Sequence, residues 1–176
     1  MPPSSSASSP ARSHAPVKIR ELRASDRVPL TELLRETGAF DEHEIAVALE
    51  LIERGCAPDN IDYLFKIAED EKYRVVGYAC YGLVPLTDGV YDLYWIAVHP
   101  NLQGKKVGQL LIKTIEQAVR EIGGRMLLIE TASKAEYQPT RAFYERVGYQ
   151  EIARIPDFYR IGDDKIIYRK KFDPKT

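Results

Sequence analysis

The spacing of the apolar residues changes near residue 60, and that change confines the chain to a short list of folds. In DEHEIAVALELIERG (41–55), Ile45, Leu49 and Ile52 recur at steps of three and four, the stripe of an amphipathic helix. Beyond it, IDYLFKIAED (61–70) and YRVVGYACYGLV (73–84) alternate and are rich in Tyr, Val and Ile. EDEK (69–72) between them suits a hairpin turn, and GVYDLYWIAVHP (89–100) is a third strand of the same kind. Helices first, then consecutive strands, then helix and strand in turn call for a sheet with helices on its faces.

The other elements follow from their punctuation. VKIREL (17–22) suits a first strand through Val17, Ile19 and Leu22. Ser25 or Asp26 can cap a helix over RVPLTELLRETG (27–38), with Pro29 in its first turn and Gly38 past its end. A helix from about Lys105 to Ile122 presents Val107, Leu110, Leu111, Thr114, Ile115 and Ala118 on one face. RMLLIET (125–131) is nearly all apolar, which predicts a strand buried on both sides. PTRAFYERVG (139–148) predicts a helix starting near Pro139 and stopping at Gly148. YQEIARI (149–155) and DKIIYRKKF (164–172) are two final strands joined by the turn DFYRIGD (157–163). The order β-α-α-β-β-β-α-β-α-β-β describes an α/β (α+β) domain: a mixed, largely antiparallel sheet of about seven strands with about four helices on its faces. It occupies residues 17–173 as a single domain, after a Ser-, Ala- and Pro-rich tail (1–16) expected to be disordered and before a short tail (174–176).

Charge narrows the function classes. The 25 basic and 26 acidic residues leave a net charge of −1, which argues against a chain whose main task is to coat nucleic acid or an anionic membrane. Lys105, Lys106 and the C-terminal lysines are the features that would speak for nucleic acid. Two cysteines, Cys56 and Cys80, build neither a disulfide framework nor a metal-ligand spacing. No stretch has the apolar length of a secretory signal or a membrane span, and a cytoplasmic location is the expectation.

The stretch AVHPNLQGKKVGQLLIKTIEQAV (97–119) carries the chemistry. A strand, a short glycine-bearing loop and a helix N-terminus bring free backbone N–H groups and the positive end of a helix dipole to one spot, which suits a phosphate. The loop is Gln103-Gly104-Lys105-Lys106-Val107-Gly108, and about forty residues on stands Phe143-Tyr144-Glu145-Arg146-Val147-Gly148-Tyr149. These two motifs, in this order, resemble those of the GCN5-related N-acetyltransferase (GNAT) family. In that family an Arg/Gln-x-x-Gly-x-Gly/Ala loop between the fourth strand and the third helix binds the pyrophosphate of acetyl-coenzyme A. Gln103 and Gly108 match it, and Lys106 replaces the middle glycine. The second motif matches in full, while an Asn that many members carry seven residues before the tyrosine is here Tyr137. The resemblance covers roughly residues 17–173.

That resemblance implies a GNAT-like sheet splayed between strands 4 and 5, acetyl-coenzyme A as cosubstrate with no metal, and acetyl transfer to a primary amine by direct attack in a ternary complex. It implies a cofactor site of Gln103, Gly104, Lys105, Lys106, Val107, Gly108 and Tyr137, with the backbone of Ile96, Ala97 and Val98 holding the pantetheine arm and facing the thioester oxygen. It also implies a small amine-bearing acceptor as partner, with neither nucleic acid nor membrane, and a homodimer. Lysine at position 106 costs little if the position is ordinarily helical and is strained if it needs φ > 0.

Tyr144 is the acid candidate, because a phenol stays protonated at neutral pH yet can donate to a leaving thiolate; as an ordinary helix aromatic it would be core, with Phe143 the better core member. Asp92 and Glu130 are the candidates for a base. Alternation along the strand predicts Asp92, Tyr94 and Ile96 on one face, and Glu130 ends RMLLIET at the expected splay. A carboxylate in an apolar cleft has a raised pKa, which suits a base; an exposed or ion-paired acid, or a water relay, is the alternative for each. Tyr94 and Tyr159, with Trp95, Tyr137, Phe158, Asp163 and Asp164, are acceptor-site material suited to a cationic amine. His43 and His99 are expected on a helix surface and in a loop. A coenzyme A-binding module without catalysis, and a transferase of a longer acyl group, are the rival readings.

Overall fold

The computed structural model describes residues 16–72 and 74–172; the expected tails, apart from Pro16, lie outside the described residues. The element order is β1 (Lys18–Arg20), α1 (Arg27–Thr37), α2 (Glu42–Gly55), β2 (Leu64–Glu69), β3 (Val75–Leu83), β4 (Val90–Val98), α3 (Val107–Glu121), β5 (Met126–Ala132), α4 (Gln138–Arg146), β6 (Gln150–Arg160) and β7 (Asp163–Lys171). The strands form one seven-stranded sheet in the order β1-β2-β3-β4-β5-β7-β6. Every neighbouring pair is antiparallel except β4 with β5.

Capping explains the helix ends. Asp41 accepts from the Glu44 amide at 2.8 Å while the Glu44 carboxylate accepts from the Asp41 amide at 2.9 Å, a capping box that starts α2. Gly38, at φ 61°, closes α1 in the left-handed region. Gly55 ends α2 for a different reason: a Cβ there would lie 2.2 Å from the Phe65 ring, so the helix end packs directly on β2.

Two layers cover the sheet unequally. On one face α1 and α2 bury Leu30, Leu34, Ile45, Ala48 and Ile52 against Phe65, Ile67, Tyr78 and Cys80 of β2 and β3. On the other, α3 and α4 pack Ile112, Ile115, Val119 and Tyr144 against Leu93, Leu127, Ile129, Ile166 and Tyr168. The face of β5 that carries Leu128 and Glu130 lies outside both layers, so β5 is buried on one side, not the two its apolar run predicts. β6 also differs from expectation. It runs on to Arg160, with a register shift between Ile155 and Arg160, and the turn shrinks to Ile161 and Gly162.

Candidate active site

The site is built where β4 breaks its regular pairing. The β3–β4 register runs from Gly77↔Val98 to Cys80↔Trp95 and resumes at Tyr81↔Leu93, which leaves Tyr94 as an extra residue. Simple alternation therefore fails across position 94. Asp92, Trp95 and Ala97 lie opposite Gly82, Cys80 and Tyr78 and share a face; Leu93 and Ile96 lie opposite Tyr81 and Ala79 on the other. Asp92 and Ile96, expected side by side, look to opposite faces because one inserted residue inverts everything after it. The parallel pairing of β4 with β5 also ends here, at Leu93↔Ile129. From Tyr94 onward, β4 has only β3 as a strand neighbour among the described residues, which is the splay expected between strands 4 and 5.

Two cavities of about 520 and 500 Å³ meet at this gap and share Ile96, Ala97, Val98, Gln103, Thr140 and Tyr144. The second is bounded by the loop before α3, through Leu102, Gly104, Lys106, Gly108 and Gln109, and by Pro139, Phe143 and Arg146 of α4. The first opens on the α2 side, between Phe40, His43, Glu44 and Val47 and the group Tyr94, Trp95, Glu130, Lys134, Tyr137, Tyr159 and Asp163. Lys105 lines neither cavity, Val107 is in the core, and Tyr137 lines the first cavity and not the second.

The loop before α3 folds back on the strand. The Gln103 Nε2 donates to the Val98 carbonyl at 3.2 Å, and Gly104 and Lys106 take φ of 73° and 69°. Position 106 thus needs the left-handed region, and lysine there is strained where glycine would not be. Lys106 is the N-cap of α3, whose first amides have no acceptor inside the helix. A Cβ on Gly108 would lie 3.4 Å from the Phe143 ring and 3.7 Å from Val98, ordinary contact distances, so α3 packs here against α4 and β4 without needing a glycine.

Tyr144 sits at the junction. Only 4% of it is exposed, and it packs 5.9 Å from Tyr168 and 6.3 Å from Tyr149, ring centre to ring centre. Phe143, expected to be the core member of the pair, is the half-buried one. Burial, and then the neighbouring Tyr137, push the Tyr144 phenol up, so it is protonated at neutral pH. No hydrogen bond ties its hydroxyl to another described residue. The end of α4 is clamped by Lys170, which donates to the Val147 carbonyl at 2.8 Å and to both oxygens of the buried Glu116 at 2.9 and 3.0 Å. Tyr149 adds a bond to Glu116 at 3.1 Å.

The two carboxylates share a face. Asp92 is half-buried on β4, and Glu130 stands on β5 just past the last paired residue. Burial raises the Asp92 carboxyl, the Glu130 charge raises it further, and Lys165 opposes them. Glu130 is exposed, lines the first cavity and pairs with Lys165 at 2.6 Å; Asp92 lines neither cavity. Tyr94 lies edge-on to Tyr63 at 5.6 Å, and burial followed by the Asp92 charge pushes its phenol up to about 12. Tyr159 lines the first cavity. Phe158 lines neither and lies under the Lys165 ammonium at 3.9 Å. Asp163 is buried and accepts from the Ser133 amide at 3.2 Å, and Asp164 lines neither cavity. His99 closes on α1, its Nε2 lying 3.0 Å from Glu36.

Phe40, Glu44 and Val47 are lining residues that the sequence does not single out, and His43, expected on a helix surface, lines the cavity from that surface. A trace of them exists: His43 and Val47 lie off the buried stripe of Ile45, Ala48 and Ile52, yet Val47 is an apolar residue left 39% exposed. Among the described residues no three His, Cys, Asp or Glu side chains group as metal ligands, and no helix is long and apolar enough to cross a membrane.

Comparison with known proteins agrees with this geometry. A crystal structure from Desulfovibrio desulfuricans, assigned to the GNAT family of acetyltransferases, is 41% identical with a TM-score of 0.84, covering 89% of this chain and 99% of that one. The PaiA N-acetyltransferase of Thermoplasma acidophilum, in complex with coenzyme A, shares the fold at 21% identity and a TM-score of 0.69, covering 89% of this chain and 99% of that one. An uncharacterized N-acetyltransferase of Methanocaldococcus jannaschii is 31% identical over 108 residues, 61% of this chain. The match spans 65% of the length of that curated relative. The model of the acetyltransferase (GNAT) family matches residues 27–149. With the splayed sheet, the loop before α3 and the Tyr144 helix in place, the chain belongs to the GNAT family of acetyltransferases.

Proposed function

We propose that the protein is an acetyl-coenzyme A-dependent N-acetyltransferase that moves an acetyl group to a primary amine by direct attack in a ternary complex. The observation that carries this reading is the meeting of two cavities on the unpaired edge of β4, one running to the N-terminus of α3 and the other opening on the α2 side. The residues present fit the cosubstrate. An unpaired strand edge offers backbone groups to an amide-rich arm, and the first amides of α3 beside Gly104 and Gly108 offer donors to a diphosphate. Ile96, Ala97 and Val98 would hold the arm, and Gln103, Gly104, Lys106 and Gly108 the diphosphate. Acetyl-coenzyme A supplies the acyl group as an activated thioester.

The chain's own groups do the rest. A backbone N–H of the β4 edge stabilises the carbonyl oxygen as charge grows on it, an effect of about 2.7–4 kcal/mol where a single donor has been removed elsewhere. Glu130 on the cavity wall, directly, or Asp92 behind it with its raised pKa, through water, takes the proton from the attacking amine. Tyr144, protonated and with no hydrogen-bond partner for its hydroxyl among the described residues, donates to the departing thiolate.

Calorimetric titration with acetyl-coenzyme A, coenzyme A and 3′-dephospho-coenzyme A tests the cofactor half. Micromolar binding is expected, and the absence of heat would sink it. A thiol-release screen over amines tests the other half, which fails if the protein binds the cofactor and turns over no amine.

A further inference from the structure

Trp95 is the one tryptophan of the chain, and its position is unusual in three ways. It immediately follows the extra residue in β4 and immediately precedes Ile96 of the shared cavity wall. It lines the first cavity, on the face that opens toward α2. Its Nε1–H is buried with no hydrogen-bond partner among the described residues. A buried donor without a partner is rare in native proteins, and such groups concentrate where a ligand completes them. Tyr78 carries the other orphaned buried atom, but it is wholly interior and lines neither cavity.

Against the indole packs Phe40, whose ring lies 5.0 Å from that of Trp95 at an interplanar angle of 43°. Phe40 belongs to the corner between α1 and α2, residues 38–41, which begins at the left-handed Gly38 and is otherwise exposed. Phe40 and Trp95 both line the first cavity.

We propose that the Trp95 Nε1–H is a specificity donor to the acceptor, and that the acceptor is an amine bearing an uncharged carbonyl oxygen, as in an α-amino amide. The inference rests on the transferase reading above. Strand residues rise about 3.3 Å each, so Trp95 stands one residue from the Ile96 edge where the thioester would lie, and its side chain borders the acceptor end of the site. Charge selects a neutral oxygen. Lys134 and Arg160, the cations of this wall, both turn to Asp163, at 3.6 and 3.8 Å. A free carboxylate on the acceptor would meet the Glu44 and Glu130 carboxylates of the same lining.

The test compares the amides of the standard amino acids, glycinamide first, each with the alkylamine that lacks the carboxamide. In the wild-type protein with coenzyme A bound, the Trp95 emission should shift to longer wavelength with the amide and not with its alkylamine partner, a measurement that needs no variant to fold. In Trp95→Phe, the amide-to-alkylamine ratio of kcat/KM should fall about tenfold, the size of one lost hydrogen bond. The KM for acetyl-coenzyme A should stay unchanged. An unaltered ratio in Trp95→Phe, or equal emission shifts for both members of a pair, overturns the proposal and leaves the transferase reading intact. Coenzyme A binding with transfer to alkylamines and to no amide overturns the proposal alone, and transfer to no member of the panel overturns it together with the acceptor half of that reading. If coenzyme A itself does not bind, the reading falls and the proposal falls with it.

Discussion

The strands before and after the splay are built under different rules. β2 and β3 lie between two layers, α1 and α2 on one face and α3 on the other. β5 and β7 are covered on one face by α3 and α4, and their other face carries Leu128, Glu130, Lys165, Ile167 and Arg169. β3 is accordingly buried through seven consecutive residues, Val76 to Gly82, whereas β5 alternates. The cleft lies on the border between the two regimes, where strand pairing and helix cover both give out. A reactive group there can be anchored in a core and still reach a ligand. Tyr144 is such a group, with its ring in the core of the one-sided half and its position on the wall of both cavities.

The sharpest way to break this contrast is to cut into the two-sided half. Ile67→Ala, at a residue with no exposure, should cost about 3–4 kcal/mol in a urea titration. A loss under about 1 kcal/mol would mean that α1 and α2 are not firmly seated on β2. Next in size, Tyr144→Phe keeps the buried ring and removes the hydroxyl. Turnover should fall about a hundredfold while coenzyme A affinity and the thermal midpoint hold; equal turnover would make Tyr144 a core residue alone. Asp92→Asn carries a pH signature. Because the folded protein raises the Asp92 pKa, it binds the proton more tightly than the unfolded chain does, so ionising Asp92 costs stability as pH rises through that interval. The variant should therefore be the more stable form at neutral pH, and equal to wild type below the unfolded value. If Asp92 is the base, the acid limb of kcat/KM, which reports its raised pKa, should vanish as well. Lys106→Gly should raise stability by about 1 kcal/mol by relieving the left-handed lysine, read as a higher thermal midpoint. Smallest of all, Leu128→Ala on the open face of β5 should cost less than about 1 kcal/mol. A cost equal to that of Ile67→Ala would mean that a partner covers this face in solution, and the contrast would disappear.

Particular residues show what was legible beforehand. The α2 stripe of Ile45, Leu49 and Ile52, the Gly38 cap and the alternation of β2 to β4 all act within a few residues, and the element order followed from them. Family motifs located the loop before α3 and the Tyr144 helix. Burial of β5 was misjudged because an apolar run reports only a strand's own composition and says nothing of whether a helix lies over each face. The face of Asp92 was misjudged because the extra residue at Tyr94 leaves no mark in a run that is apolar and aromatic on both sides of it. Phe40 and Glu44 went unseen, and His43 was legible only as a helix-surface residue, because they meet Trp95 and Glu130 across the fold, at a distance in sequence that no local pattern spans.

By itself, then, the sequence determined the order and kind of the elements, the family, and which short segments carry chemistry, because periodicity, capping and motif spacing are properties of neighbouring residues. Tertiary structure alone decided which face each carboxylate takes, how far β4 and β5 stay together, that position 106 is left-handed, and that an indole N–H ends up buried with no described partner. Those outcomes depend on register and layer packing, where a single inserted residue or an uncovered face changes what every later side chain meets.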